Sequence, residues 1–265
     1  MLAFPTTKIN LGLYLTEKRS DNFHSILSCF YPVQWSDVLE IVPSETFEFL
    51  QTGLQVPGNP EDNLCVKAYN LLKNDFDLPN VRIHLHKIIP MGAGLGGGSS
   101  DAAFVLKTLN NSLKLGIGRE KLMEYAAVLG SDCAFFIPNK TSIATGRGEI
   151  LEDFKIDLSG TKIVIVYPDI HISTAEAFAD VKPKTFEGDF KALLAEPEKW
   201  KDQLRNQFEE TIFLKYPLLD EIKQQLYKSG AFYASMSGSG SSIYGLFKGE
   251  IEELDLNYKI FMGTF

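Results

Sequence analysis

Apolar residues at Ile9, Leu11, Leu13 and Leu15 alternate with Lys8, Asn10, Gly12 and Tyr14 near the start of the chain. That two-residue period predicts a strand with one apolar face and a second face carrying Lys8 and Asn10 together. A turn signal at Ser20, Asp21 and Asn22 precedes two more strand-like stretches, residues 23–33 and 38–42. The period then changes. Leu64, Ala68, Leu71 and Leu72 share one face of a helix that Asp62 or Asn63 can cap. Residues 81–89 alternate again, as a strand does. Helical spacing returns at Ala102, Val105, Leu106, Leu109 and Leu113, then at Leu122, Tyr125, Ala126 and Leu129, where Gly130 is placed to end the helix.

The second half starts near Leu158. Residues 162–167 form a short, β-branched apolar run, which predicts a buried strand. Ser173 or Thr174 can cap a short helix running through Phe178. Polar helices follow up to Ser229 with Gly230 as a C-cap, and residues 231–236, 242–247 and 258–265 read as strands. The mixture predicts an α+β protein of two domains, residues 1–155 and 156–265, with no internal repeat.

Between the strand at 81–89 and the helix after Asp101 lies Pro90, Met91, Gly92, Ala93, Gly94, Leu95, Gly96, Gly97, Gly98, Ser99 and Ser100. Five glycines in seven positions are costly wherever the chain is ordered, and argue against a packed strand or helix there. Their usual return is close backbone approach to an anion, with N–H groups and the positive end of a helix turned toward it. A flexible Gly/Ser linker is the plain alternative, but linkers are seldom flanked so closely by a strand and a helix. The loop lacks the Gly-Lys-Ser/Thr ending of a P-loop and the context of a dinucleotide fingerprint. A nucleotide phosphate is the expected ligand.

The composition narrows the partners. A chain of 265 residues, 45% hydrophobic, is long enough for one large or two modest cores. A net charge of −8 argues against nucleic acid, while leaving room for a small anion in a local positive site. Cys29, Cys65 and Cys133 form no C-x-x-C pair, which points to neither a zinc site nor a disulfide framework. No signal-peptide pattern and no membrane-length apolar run is present, so a cytoplasmic protein without a membrane partner is expected.

Four further constellations each have a plain explanation. Lys8 with Asn10 can be a solvated strand end, and Asp132 after Gly130 and Ser131 a cap for the next element. Phe23 and His24 can be hairpin packing, and Ser237, Gly238, Ser239 and Gly240 a turn. Taken with the glycine loop, their order and spacing resemble the GHMP small-molecule kinases, whose nucleotide signature is similar to residues 90–100. Within that family the segment Lys18 to Ile26, read Lys-Arg-Ser-Asp-Asn-Phe-His-Ser-Ile, is similar to members that phosphorylate a diphosphocytidyl sugar alcohol for isoprenoid precursors.

The resemblance implies a two-lobed architecture, an N-terminal domain with the ATP loop and a ferredoxin-like C-terminal domain. It implies ATP as co-substrate, transfer to the 2-hydroxyl of 4-diphosphocytidyl-2-C-methyl-D-erythritol, and small molecules as partners. It matches Asp132 and Lys8 to catalytic positions. It matches Asn10, Phe23, His24, Thr174 and Phe178 to acceptor-binding positions, and residues 237–240 to a third motif near the phosphates. Chemistry supports these roles separately. A carboxylate beside the acceptor hydroxyl can orient it and take its proton, and a nearby lysine offsets charge on the moving phosphoryl group. Two aromatic rings can sandwich a pyrimidine while an imidazole reads its edge. Mg²⁺ is expected with the nucleotide; no carboxylate cluster marks a dedicated metal site, and Ser99 or Ser100 can reach a nucleotide-bound ion. Asn22 stands where the family has Gly, Phe23 where it has Tyr, and Thr7 where Ala is common. Two alternatives stay open: a GHMP kinase for homoserine, mevalonate or a sugar, and a non-catalytic nucleotide-binding regulator. Monomer and homodimer are both compatible with the sequence.

Overall fold

The computed structural model describes residues 1–20, 23–252, 254 and 257–265, so Asp21 and Asn22 of the acceptor-like segment lie outside the described residues. It opens with strands β1 (Leu2–Ala3), β2 (Thr6–Lys18), β3 (His24–Ser36), β4 (Val38–Pro43) and β5 (Glu48–Gly53). Helix α1 (Leu64–Asp75), strand β6 (Val81–Lys87) and helices α2 (Gly97–Ser112) and α3 (Arg119–Leu129) follow. Then come β7 (Ser142–Thr145), β8 (Ile150–Asp153) and β9 (Lys162–Tyr167). Helices α4 (Thr174–Ala179), α5 (Phe190–Leu194), α6 (Trp200–Gln203), α7 (Glu209–Lys215) and α8 (Pro217–Lys228) lead to β10 (Tyr233–Met236), β11 (Ile243–Phe247) and β12 (Lys259–Thr264). The class is α+β, as the alternating periods predict.

The chain forms two compact units. The first comprises Met1–Lys8, Gln34–Met91 and Gly96–Lys140, the second Ile9–Val33, Gly92–Leu95 and Thr141–Phe265. Strands β2 and β3 each change unit part-way, so the units interleave along the sequence.

In the first unit a sheet of order β1-β4-β6-β5 packs with α2, which packs in turn with α1 and α3. Its strand β6 alternates cleanly: Val81, Ile83, Leu85 and Lys87 are buried while Arg82 and His86 face out. Asn63 caps α1 as expected, its side chain accepting from the Cys65 N–H. Helix α2 begins at Gly97, inside the glycine run rather than after it. The first helical turn tolerates glycine because its N–H groups lack helical partners in any case. Gly130 does not close α3 through a left-handed turn; its φ of 172° is extended backbone.

In the second unit, β9 through β12 form an antiparallel sheet of order β10-β11-β9-β12, the strand order of a ferredoxin-like sheet. Gly230, at φ 95°, follows α8 as the predicted C-terminal stop. The hairpin β7–β8 pairs with β3 and went unpredicted, as did β5 in the first unit. The long strand β2 is buried over Thr6–Leu13 on both faces, not on one. Its free edge in the second unit is closed by distant chain: Leu13 N–H donates to Arg205 O, Gln207 N–H to Leu13 O, and Lys184 N–H to Leu15 O.

A buried ion cluster anchors the first unit. Lys87 Nζ lies 2.5 Å from Asp37 Oδ2 and 2.7 Å from Asp101 Oδ2. Asp37 Oδ1 also accepts the backbone N–H groups of Ile88 and Ile89. Burial alone would lower the Lys87 ammonium, but the two carboxylates together hold it above the usual lysine range. Burial pushes the Asp101 carboxyl up to about 7, against the pull of Lys87. Two carboxylates on one ammonium leave one negative charge unmatched, and a proton on Asp101 removes it. Deleting Lys87 would cost about 3–5 kcal/mol, because the carboxylates it balances stay buried without a counter-charge.

A pH dependence follows from the sign of the Asp101 shift. With its folded-state value raised to about 7, its contribution to stability is complete below about pH 4 and is lost as pH rises through about 7. Urea denaturation from about pH 5 to about pH 8 is expected to show a declining stability that Asp101→Asn largely flattens. Equal slopes in parent and variant would place the titration elsewhere.

Candidate active site

Three elements of the first unit converge at the start of α2. Lys8, 3% exposed on β2, lies with Nζ 3.4 Å from Asp132 Oδ2. Asp132 precedes a short 3-10 turn, Cys133–Phe136, yet its side chain makes no capping bond there. Its half-buried carboxylate is paired with Lys8 instead. Gly96, the N-cap of α2, has φ 71°. A Cβ built on it would meet Phe136 Cζ at 3.0 Å and Lys8 Cε at 3.4 Å. Ser99 hydrogen-bonds Cys133, whose thiol burial pushes up to about 12. A lysine, a carboxylate and the positive end of a helix therefore share one location, which is what a reaction that moves a phosphate requires.

The next residues of the loop meet the ion cluster and a cavity. A Cβ on Gly97 would come 2.9 Å from Lys87 Nζ and 3.0 Å from Ile89 Cγ2, so only glycine lets the helix approach β6 this closely. Beside Gly98 and Met91 opens a cavity of about 280 Å³ whose apolar wall includes Phe49, Val56 and Leu64. Asp101 also lines it; its Oδ1 is buried without a hydrogen-bond partner, as is Ser100 Oγ. The sequence reading had Met91 and Gly98 but missed the rest. The cavity wall comes from β5 and the loop after it, where no period marked a site. Lys87 did leave a signal: it occupies the inward register of a strand whose other inward residues are Val, Ile and Leu.

In the second unit the middle of the glycine loop is joined to the third motif. Ser237 Oγ donates to Gly94 O at 2.8 Å, and Ser242 N–H donates to Ala93 O. Gly238 N–H donates to Asn10 Oδ1 at 3.0 Å, while Asn10 Nδ2 donates to Ser28 Oγ at 2.9 Å. The Asn10 amide is thus engaged by protein at both ends, and what it positions is the turn at Gly238. Asn206, which the sequence reading passed over, supports the same turn by donating to Met236 O and Gly238 O.

The predicted acceptor residues also fall in the second unit. The His24 ring stacks on Phe178, with centroids 5.1 Å apart and planes at 27°, and Phe178 in turn meets Phe208 edge-on. Burial first, and then the Lys18 charge, lower the His24 imidazole below its usual value. Thr174 lies four residues before Phe178 on α4, on the same helical face. Phe23 is 52% exposed, with the Arg147 guanidinium 5.1 Å from its ring centroid. The structure therefore pairs Phe178 with His24, and Phe23 with Arg147.

Two family models match the chain: GHMP kinases N terminal domain over residues 63–139, and GHMP kinases C terminal over residues 190–256. A 4-diphosphocytidyl-2-C-methyl-D-erythritol kinase of Bacteroides fragilis is 49% identical, over 94% of this chain and 93% of that protein. The enzyme of the same name from Bacteroides thetaiotaomicron is 49% identical over 98% of each chain. A crystal structure of 4-(cytidine 5'-diphospho)-2C-methyl-D-erythritol kinase superposes with a TM-score of 0.80 at 31% identity, over 94% of this chain and 91% of that one. Among the described residues no helix is long and apolar enough to cross a membrane.

The junction of loop and turn generates a stability test. At Gly94 (φ 75°) a Cβ would sit 1.8 Å from Ser237 O, whereas at Gly116 (φ 70°) it would meet nothing within 4 Å. Gly116→Ala is expected to cost only the left-handed backbone term, about 1–2 kcal/mol. Gly94→Ala adds a backbone clash and should cost clearly more in urea denaturation. Equal costs would mean that the loop separates freely from the turn.

Proposed function

The chain belongs to the GHMP kinase family, and from that premise we propose that it phosphorylates 4-diphosphocytidyl-2-C-methyl-D-erythritol at the 2-hydroxyl, with ATP as donor. The observation that carries the chemistry is the convergence of Lys8, Asp132 and the N-terminus of α2. Near-half identity to relatives named for this activity, over nearly the whole chain, supports the acceptor.

In this reading the loop from Pro90 to Ser100 takes the phosphates, and the purine of ATP fills the adjoining cavity against Phe49, Val56, Leu64 and Met91. Asp132 orients the acceptor hydroxyl and receives its proton as the phosphoryl group arrives. Lys8 keeps that carboxylate in place and offsets the charge that builds on the transferring group. Among the described residues no group of three or more His, Cys, Asp or Glu could hold a metal ion. The unpartnered Ser100 hydroxyl, with that of Ser99, nevertheless offers oxygen ligands beside the phosphates. These would hold Mg²⁺ that arrives with the nucleotide; when bound, the ion neutralises phosphate charge. Phe178, Phe23, His24 and Thr174 take the cytidyl part, and the lowered imidazole of His24 is a neutral donor and acceptor for a base edge. Residues 1–155 and 156–265 serve as the two functional halves, and the three free cysteines suit the reducing cytoplasm.

Incubation with Mg-ATP and a panel of acceptors tests the activity through ADP release. Only the diphosphocytidyl acceptor should give fast, saturable turnover; turnover of homoserine, mevalonate or a sugar would move the assignment within the family, and no turnover with any would point to a regulator. Asp132→Asn should cut kcat about 10²-fold or more with ATP affinity nearly unchanged. Lys8→Met should also lose turnover, with the double variant little worse than the poorer single one. An Asp132→Asn enzyme with normal kcat would reduce the carboxylate to a structural partner of Lys8.

Acceptor recognition has its own test. Phe178→Ala and Phe23→Ala should each lower kcat/KM for the acceptor by about one to two decades through lost stacking, with little change in KM for ATP. Phe23→Tyr should match or slightly exceed the parent. If both alanine variants leave the acceptor KM unchanged, these rings serve only the protein's own packing.

A further inference from the structure

The proposed phosphate loop carries no cation of its own: from Pro90 to Ser100 there is no Lys, Arg or His. Lys8 is held by Asp132, and Lys87 is buried between Asp37 and Asp101. One imidazole, however, lies against the loop. A Cβ built on Gly92 (φ 61°) would meet His171 Cε1 and Nδ1, each at 2.8 Å. The space that a side chain at position 92 would need is thus filled by the His171 ring. With Cε1 and Nδ1 turned toward Gly92, Nε2 lies on the far side of Cε1.

The position of His171 is set by the chain on either side of it. Ser241 Oγ donates to Ile170 O, and Ile172 is 2% exposed. A Cβ on Gly240 would meet Ile172 Cδ1 at 3.2 Å, so this segment lies against the same third-motif turn that Ser237 joins to Gly94. Glycine loop, turn and His171 segment are consequently fixed to one another within the second unit. The His171 ring itself is exposed, and among the described residues it has no hydrogen-bond or ion-pair partner. A donor held at the border of an anion loop, with its own bonding unspent, is placed to bind the anion.

We propose that His171 is a phosphate ligand of this kinase, donating from its ring to an oxygen of the nucleotide triphosphate held along Gly92–Leu95. The assignment rests on the loop's being the ATP site. Imidazole and phosphate make a charge-assisted hydrogen bond when the ring is protonated and a neutral one otherwise. Either supplies a side-chain donor to a loop otherwise built from backbone N–H groups, serine hydroxyls and a helix end.

Calorimetric titration of the intact protein with a non-hydrolysable Mg-ATP analogue and, separately, with adenosine tests this. The parent's binding of the analogue reports on the loop as a nucleotide site; its absence would overturn both the ATP reading and the His171 assignment. With the parent binding, His171→Phe keeps a flat ring over Gly92 but has no donor, and should weaken the analogue about tenfold while leaving adenosine unchanged. His171→Gln, whose amide nitrogen can approach the place of Nε2, should recover part of that loss. If His171→Phe binds the analogue as the parent does, His171 is only packing and the assignment fails, whatever the acceptor proves to be. A loss shared equally by adenosine would also overturn it, since the defect would then lie outside the phosphates.

Discussion

One ammonium between two carboxylates, sealed from water, governs the geometry of the first unit. Lys87 ends β6, Asp37 lies between β3 and β4, and Asp101 sits in the opening turns of α2. Each pair alone could be replaced by apolar contact of similar volume, often without loss of stability. What the cluster adds is direction. It ties the last residue of a strand to the first turns of a helix across a loop that glycine makes pliable. The loop can therefore be soft in composition and still deliver its helix to a fixed place. Gly97 makes the complementary concession, leaving room for the ammonium where any side chain would stand.

The glycine run is held from more than one direction. Its last residues belong to a helix of the first unit, while Ala93 and Gly94 are bonded to Ser242 and Ser237 of the second. Asn10 and Asn206 fix the turn that carries Ser237, each using its side-chain amide on backbone at Gly238. Few of these residues carry charge. The backbone of the region is placed by neutral amides and hydroxyls, which agrees with a chain whose net charge is −8.

Much of this was legible in the residues. Alternation marked β2 and β6, a continuous β-branched run marked β9, and helical spacing marked α1, α2 and α3. The start of α2 was misplaced since propensity discourages helical glycine, and the close approach of Lys87 that overrides propensity is a tertiary fact. Strands β5 and β7 are short and lean on neighbours, so their own patterns are weak. Lys8 and Asp132 were found through family resemblance; as bare residues they read as a strand end and a cap. Only the 3.4 Å between them turns two ordinary positions into a chemical pair. His171 and Asn206 left no mark at all, because a residue whose role is to meet a segment far away in sequence has no local pattern to disturb.

The closure of β2 by the stretch around Arg205 and Gln207 bears on how the molecule comes into being. The strand is among the first made, yet the N–H of Leu13 and the carbonyl of Leu15 find partners only when residues 184–207 have been synthesised. At ordinary elongation rates that interval is about 10–40 s. Through it the nascent chain carries a strongly apolar strand with an open hydrogen-bonding edge, the arrangement most prone to pair with a neighbouring chain. Pairing with β3 covers the opposite edge only. The edge of β2 is therefore most open to mispairing while the chain is still being made.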